Sequence, residues 1–92
     1  MRPISYAVPG ALVELLRPAP LSTGKVGFAW RAAVGPAIDR ATSVRLEQAT
    51  LLVEATDPQW AREVARSSAV ILARLQTLLG ADTVSQIMVR TR

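Results

Sequence analysis

The sequence contains neither cysteine nor histidine among its 92 residues. Disulfide bonds, thiolate or imidazole metal ligands, and catalytic arrangements that pair a serine or a cysteine with a histidine are therefore all excluded. The acidic residues also lack the spacing of paired catalytic carboxylates or of a metal site. We therefore expect a protein that is not an enzyme and that needs no metal or other cofactor.

Long apolar runs are missing as well, since no stretch approaches the roughly 18 residues that a membrane-spanning helix requires. Near the N-terminus, Pro3 and Pro9 interrupt any segment that would resemble the apolar part of a secretion signal. The sequence therefore predicts a cytoplasmic protein without a membrane partner.

Aromatic residues make up only 4% of the chain, although half of all residues are hydrophobic. The core of this single-domain chain must therefore consist mainly of alanine, valine and leucine, with a few larger side chains to fill it. Trp30 and Trp60 lie on the apolar stripes of predicted helices. A core role is favoured for both over stacking on nucleic-acid bases.

The first predicted element is a short helix over residues 10–17, which is flanked by prolines. Leu12, Leu15 and Leu16 are expected to share one face of it. A helix of this length is marginal in isolation, so its apolar face must pack against something else.

A second helix is predicted over residues 21–34, where apolar residues recur at helical spacing. Ser22 or Thr23 can cap its start, and Gly35 ends it. Residues 36–41 are expected to add one more helical turn.

Two strands follow, over residues 43–47 and 50–56. The first alternates between apolar and charged residues, and the second is expected to be buried on both faces near its centre. Because only about two residues separate them, the pair predicts a β-hairpin.

The clearest element is a long helix over residues 58–79, with a continuous apolar stripe. Asp57 is its expected N-cap, Pro58 its first residue and Gly80 its stop. Alternation over residues 84–90 predicts a final strand.

The predicted order is helix, helix, strand, strand, helix, strand, which defines an α+β protein. Its three strands form one sheet with helices on the apolar face, and this order is that of a KH-like domain. Residues 1–20 are interpreted as an N-terminal proline-rich segment with a short helix, and residues 21–92 as the KH-like domain.

Eleven basic and seven acidic residues give a net charge of +4. This excess permits binding to nucleic acid or to an acidic protein surface without requiring either. A solvated face with no ligand is the alternative interpretation of the same charges. The candidates for contacts with phosphates are Lys25, Arg31, Arg40, Arg45, Arg62, Arg66 and Arg74.

The run from Gly24 to Gly27 matches the G-x-x-G pattern with which KH domains clamp a nucleic-acid backbone. The pattern is short and common, and here it directly precedes the apolar stripe of the second helix. A loosely wound helix start is therefore favoured over a phosphate-binding loop.

The whole pattern resembles the DciA family over residues 21–91. That family has a tryptophan followed after three residues by Val-Gly, a threonine before the hairpin, a Leu-x-Val strand, a second tryptophan and a closing Leu-Gly. The corresponding residues are Trp30, Val34, Gly35, Thr42, Leu51, Val53, Trp60, Leu79 and Gly80.

The resemblance implies a KH-like, DNA-binding adaptor that associates with the bacterial replicative helicase and helps to load it at origins. Single-stranded or forked DNA and the helicase are then the expected partners. Two alternatives remain open at this point. One is a protein–protein interaction module, for example a homodimer formed through the first helix, and the other is an RNA-binding KH-like factor.

Overall fold

A computed structural model describes residues 8–92, which fold into helices packed on one face of a single sheet. The predicted α+β class is confirmed, and the first seven residues of the predicted N-terminal segment lie outside the described residues. In chain order the elements are α1 Gly10–Leu16, α2 Thr23–Val34, α3 Pro36–Arg40, β1 Thr42–Glu47, β2 Thr50–Ala55, α4 Pro58–Arg66, α5 Ser68–Leu79 and β3 Gln86–Thr91.

The bounds of α2 and α3 follow from residues that favour helix ends. Ser22 caps α2, because its Oγ accepts a hydrogen bond from the backbone N–H of Lys25 at 3.0 Å. Gly35 ends α2 with a φ of 86°, a conformation that a side chain would strain. Pro36 then begins α3, where its missing N–H costs nothing.

Helix α1 packs against α5 without burying any residue fully. Leu12, Val13 and Leu16 pack against the edge of the core, whereas Leu15 is 72% exposed. The predicted common face of three leucines is therefore wrong for Leu15. Since each residue advances by about 100° around a helix, Leu15 lies roughly a quarter turn from the centre of the face that packs.

The sheet has the order β1-β2-β3, with β1 and β2 antiparallel and β2 and β3 parallel. A parallel pair needs a crossover connection, and α4 and α5 supply it. Val44, Val53 and Val89 are partners across the three strands and pack on the core side. The predicted three-stranded sheet on helices is confirmed.

The central strand β2 is covered on one face only. Leu51, Val53 and Ala55 are buried, while the alternating positions Leu52 and Glu54 are partly exposed. The expectation that β2 is buried on both faces is therefore wrong, because the helices cover one side of the sheet.

The ends of the predicted long helix are confirmed. The Asp57 carboxylate accepts a hydrogen bond from the backbone N–H of Trp60 at 2.9 Å, as an N-cap does. At the other end, Gly80 stops α5 with a φ of 99°.

The helix is not continuous, however, because it breaks at Ser67 into α4 and α5. The N–H of Ser67 is shared between the carbonyls of Glu63 and Val64 at 3.2 Å each, so the regular hydrogen-bond pattern is lost there. Serine is a weaker helix former than alanine or leucine, and Ser68 follows Ser67 at the break. The break lets α4 pack on β2 and β3 while α5 packs on α1 and α2.

The core is built around Trp30, which is 1% exposed. Its indole Nε1–H donates a hydrogen bond to Oγ1 of Thr42 at 2.9 Å, and Thr42 donates in turn to the carbonyl of Ile38 at 2.7 Å. Trp60 is half-buried and packs against the same core. The predicted core role is confirmed for Trp30. Trp60 contributes to the core from its edge, where it stays partly exposed.

The hairpin between β1 and β2 turns on Gln48 and Ala49, which have φ values of 49° and 68°. Positive φ at both central residues is the geometry of a type I′ turn, which normally takes Asn-Gly. The turn is held by Ser85, whose N–H and hydroxyl donate to the carbonyl of Ala49 at 2.7 and 3.2 Å.

Replacement of Thr42 by valine removes the acceptor of the buried Trp30 indole. We expect the free energy of unfolding to fall by about 1–3 kcal/mol, the cost of leaving a buried donor unpaired. Urea denaturation measures this as a lower midpoint at an unchanged slope. Thr91→Val, on the exposed end of β3, is the matched control, and equal stability of the two variants would contradict the assignment.

Replacement of Ala49 by glycine relieves a left-handed conformation that costs an alanine about 1–2 kcal/mol. Glycine also makes the unfolded chain more flexible, which offsets part of this gain. We therefore expect the free energy of unfolding, measured by heat or urea, to rise by about 0.5–1 kcal/mol. Ala73→Gly, in the exposed middle of α5, is the control and should destabilise by about 1 kcal/mol. Destabilisation by both substitutions would show that the turn is not strained.

Candidate nucleic-acid and partner-binding surfaces

Lys25 lies inside the fold, with only 9% of its surface exposed. Its Nζ donates hydrogen bonds to the carbonyls of Ala19 at 2.6 Å and Arg17 at 3.2 Å. The side chain therefore fastens the segment after α1 to α2. Gly24 and Gly27 around it belong to the first turns of α2, as the helix-start interpretation predicts, and they form no loop that could clamp a phosphate.

Arg74 is also engaged within the fold. It is half-buried on α5, and its Nη1 donates to the carbonyl of Ala33 at 3.2 Å, which joins α5 to α2. Lys25 and Arg74, two of the seven predicted phosphate contacts, thus donate hydrogen bonds to backbone carbonyls within the fold.

Arg45 and Arg66 are exposed, but each has an acidic partner. Arg45 Nε lies 2.9 Å from Oε2 of Glu47, and Arg66 Nη2 lies 2.8 Å from Oε1 of Glu63. Exposed pairs of this kind contribute little to stability. Their effect is to lower the positive potential that these arginines present to a phosphate.

Arg31, Arg40 and Arg62 are exposed and have no ion-pair partner among residues 8–92. Arg31 lies in the last turn of α2, Arg40 in the last turn of α3, and Arg62 on α4. Helix α2 packs against α3, α5 and β1, whereas α4 packs against the sheet and α5. The structure thus distributes the exposed candidates over several elements.

The open face of the sheet brings together arginines that the site prediction did not include. Arg90 on β3 donates through Nε to Oε2 of Glu54 at 3.0 Å, and Arg92 donates to Oγ of Ser43 at 3.4 Å. Both therefore lie on the same face as Arg45. Alternation in the sequence indicates outward-facing residues, but only the strand order reveals which of them are neighbours.

An apolar groove of about 540 Å³ lies between α1, α2 and the start of α3. Phe28 is 53% exposed in it, which is unusual for one of the few aromatic side chains of a small domain. The sequence pattern gave no sign of it, because Phe28 lies off the apolar stripe of α2. The lining residues are Pro9, Leu12, Phe28, Arg31, Ala32, Gly35 and Pro36.

None of the described helices is both long and apolar enough to span a membrane. Within residues 8–92, no group of three or more acidic side chains is placed so that it could hold a metal ion.

Comparison with known proteins identifies one family. The model of the family described as Dna[CI] antecedent, DciA, matches residues 8–89, almost the whole chain. No curated protein and no solved structure matches the sequence or the fold, so the KH-like assignment stays a prediction. The family is associated with loading of the replicative helicase in DNA replication. On the extent of the match, this chain belongs to the DciA family.

Proposed function

We propose that this domain is a DNA-binding adaptor that associates with the bacterial replicative helicase and helps to load it. The observation that carries the proposal is the family match over residues 8–89, which takes in every helix and nearly all of the sheet. The adaptor acts by binding, with the helicase and single-stranded or forked DNA as its partners in the cytoplasm.

We also propose that the domain performs no catalysis. Besides the lack of cysteine and histidine, several of its carboxylates already have structural partners. Glu47, Glu54 and Glu63 form ion pairs with arginines, and Asp57 caps α4. The carboxylates in these roles are oriented towards their partners on the surface and not towards a shared site.

For DNA, the proposal assigns phosphate contacts to exposed arginines. Arg40 and Arg62 are the strongest candidates, since neither has an acidic partner among the described residues and, unlike Arg31, neither lines the apolar groove. Arg45 and Arg66 contribute less because Glu47 and Glu63 neutralise part of their charge. Contacts of this type position a protein on a nucleic acid without reading its sequence.

The double variant Arg40→Gln/Arg62→Gln should bind single-stranded DNA more weakly at low salt. Each lost phosphate contact removes roughly 0.7 from the slope of log affinity against log salt, so we expect the slope to shrink by about 1.4. Fluorescence anisotropy with a labelled oligonucleotide, over a range of salt concentrations, measures both quantities.

Glu63→Gln is the control of opposite sign, since it removes the carboxylate beside Arg66 and should tighten binding. Wild-type affinity that does not change with salt would exclude the proposed phosphate contacts. A structured RNA of the same length that binds more tightly than DNA would favour the RNA-binding alternative.

The proposed contact with the helicase is tested separately from DNA binding, by retention on the immobilised helicase. We expect the purified domain to be retained by the immobilised replicative helicase of the same organism, in the absence of DNA and after nuclease treatment. A domain that folds and binds DNA but is never retained would show that the helicase part of the proposal is wrong.

A further inference from the structure

Phe28 exposes more than half of its surface in a concave, apolar setting. It is 53% exposed, whereas Trp30, two residues further along α2, is 1% exposed. Leu12 and Ala32 line the same groove, and Leu15 lies one helical turn beyond Leu12 with 72% of its surface exposed. An apolar surface of this kind is stabilised when a partner removes it from water.

Among residues 8–92, Arg31 is the one charged residue in the lining of this groove. It follows Phe28 by one helical turn, and no acidic side chain of residues 8–92 pairs with it. A guanidinium beside apolar walls attracts a carboxylate more strongly than one in open water, because the local dielectric constant is lower. The described lining therefore combines apolar walls with a site for a negative charge at Arg31.

We propose that this groove binds a segment of a partner protein that places apolar side chains beside Phe28 and a carboxylate on Arg31. A volume of about 540 Å³ lies in the usual range for a binding pocket. DNA is a poor occupant, since its phosphates require several cations and the described residues of the groove supply one. The assignment of the helicase as the carrier of this segment rests on the proposed function.

The first experiment measures helicase affinity of groove variants by biolayer interferometry without DNA. We expect Phe28→Ala to weaken binding roughly tenfold or more, as truncation of a central aromatic anchor does. Arg31→Gln should weaken it by about threefold, since the ion pair stays partly exposed to water. Phe28→Ala should not alter the affinity for DNA, and neither substitution should alter the unfolding midpoint.

Two controls match these changes outside the groove. Val70→Ala removes an apolar side chain on α5 that is 48% exposed, and Arg62→Gln removes an exposed arginine on α4. Both should leave helicase affinity unchanged, although Arg62→Gln should weaken DNA binding. If either control lowers helicase affinity as much as Phe28→Ala does, the groove is not the specific contact.

The second experiment tests the groove without the helicase. A capped hexapeptide of leucine and glutamate is titrated into the ¹⁵N-labelled protein, with its leucine–glutamine counterpart as the comparison. We expect saturable shifts of the amides of Phe28, Arg31, Ala32 and Gly35, with weaker binding of the glutamine peptide. Arg31→Gln should remove the preference for glutamate.

The two experiments separate the possible failures. A helicase that binds no form of the protein, combined with the expected peptide shifts, overturns the helicase assignment and supports the groove. If the amides of the groove do not shift, the proposal that this groove binds such a segment is overturned, whatever the helicase result. Light scattering that shows a wild-type dimer dissociated by Phe28→Ala would make a second copy of this chain the occupant and would also overturn the proposal.

Discussion

The hydrogen bond from the buried indole of Trp30 to Thr42 is the constraint that joins the helices to the sheet. In a core composed largely of alanine, valine and leucine, Trp30 supplies the volume and also brings a polar N–H that must be satisfied. Thr42 begins β1 and donates to the carbonyl of Ile38 in α3. The Thr42 hydroxyl therefore connects α2, α3 and β1 by hydrogen bonds. These bonds fix the position of the hairpin relative to the helices.

The residues that identify the family are mostly explained by this architecture. Trp30 and Thr42 are the two ends of one hydrogen bond, and Gly35 and Gly80 end helices at positive φ. All four residues act within the fold itself. The proposed contacts are made instead by exposed arginines and by Phe28, which lie outside the identifying pattern. A chain can therefore retain the pattern in full while its binding surfaces differ.

Local signals in the sequence predicted most of the fold, because caps and helix stops depend on neighbouring residues. Asp57, Ser22 and Gly80 all act as expected. What could not be predicted depends on contacts distant in sequence. The break at Ser67 follows from packing on two different surfaces, and Lys25 is buried because the carbonyls after α1 approach it. The neighbours of Arg45 on the open sheet face follow from strand order, which alternation does not contain.

Lys25 is the only lysine in the sequence. Because its amine is enclosed and donates to two carbonyls just after α1, a reagent that modifies lysine reaches it only when that segment moves away. The Lys25 amine is thus a chemical reporter at the point where the segment after α1 is fastened to α2. The rate of modification of the Lys25 amine measures how often this segment moves away from α2, and a bound partner that spans α1 and α2 slows it.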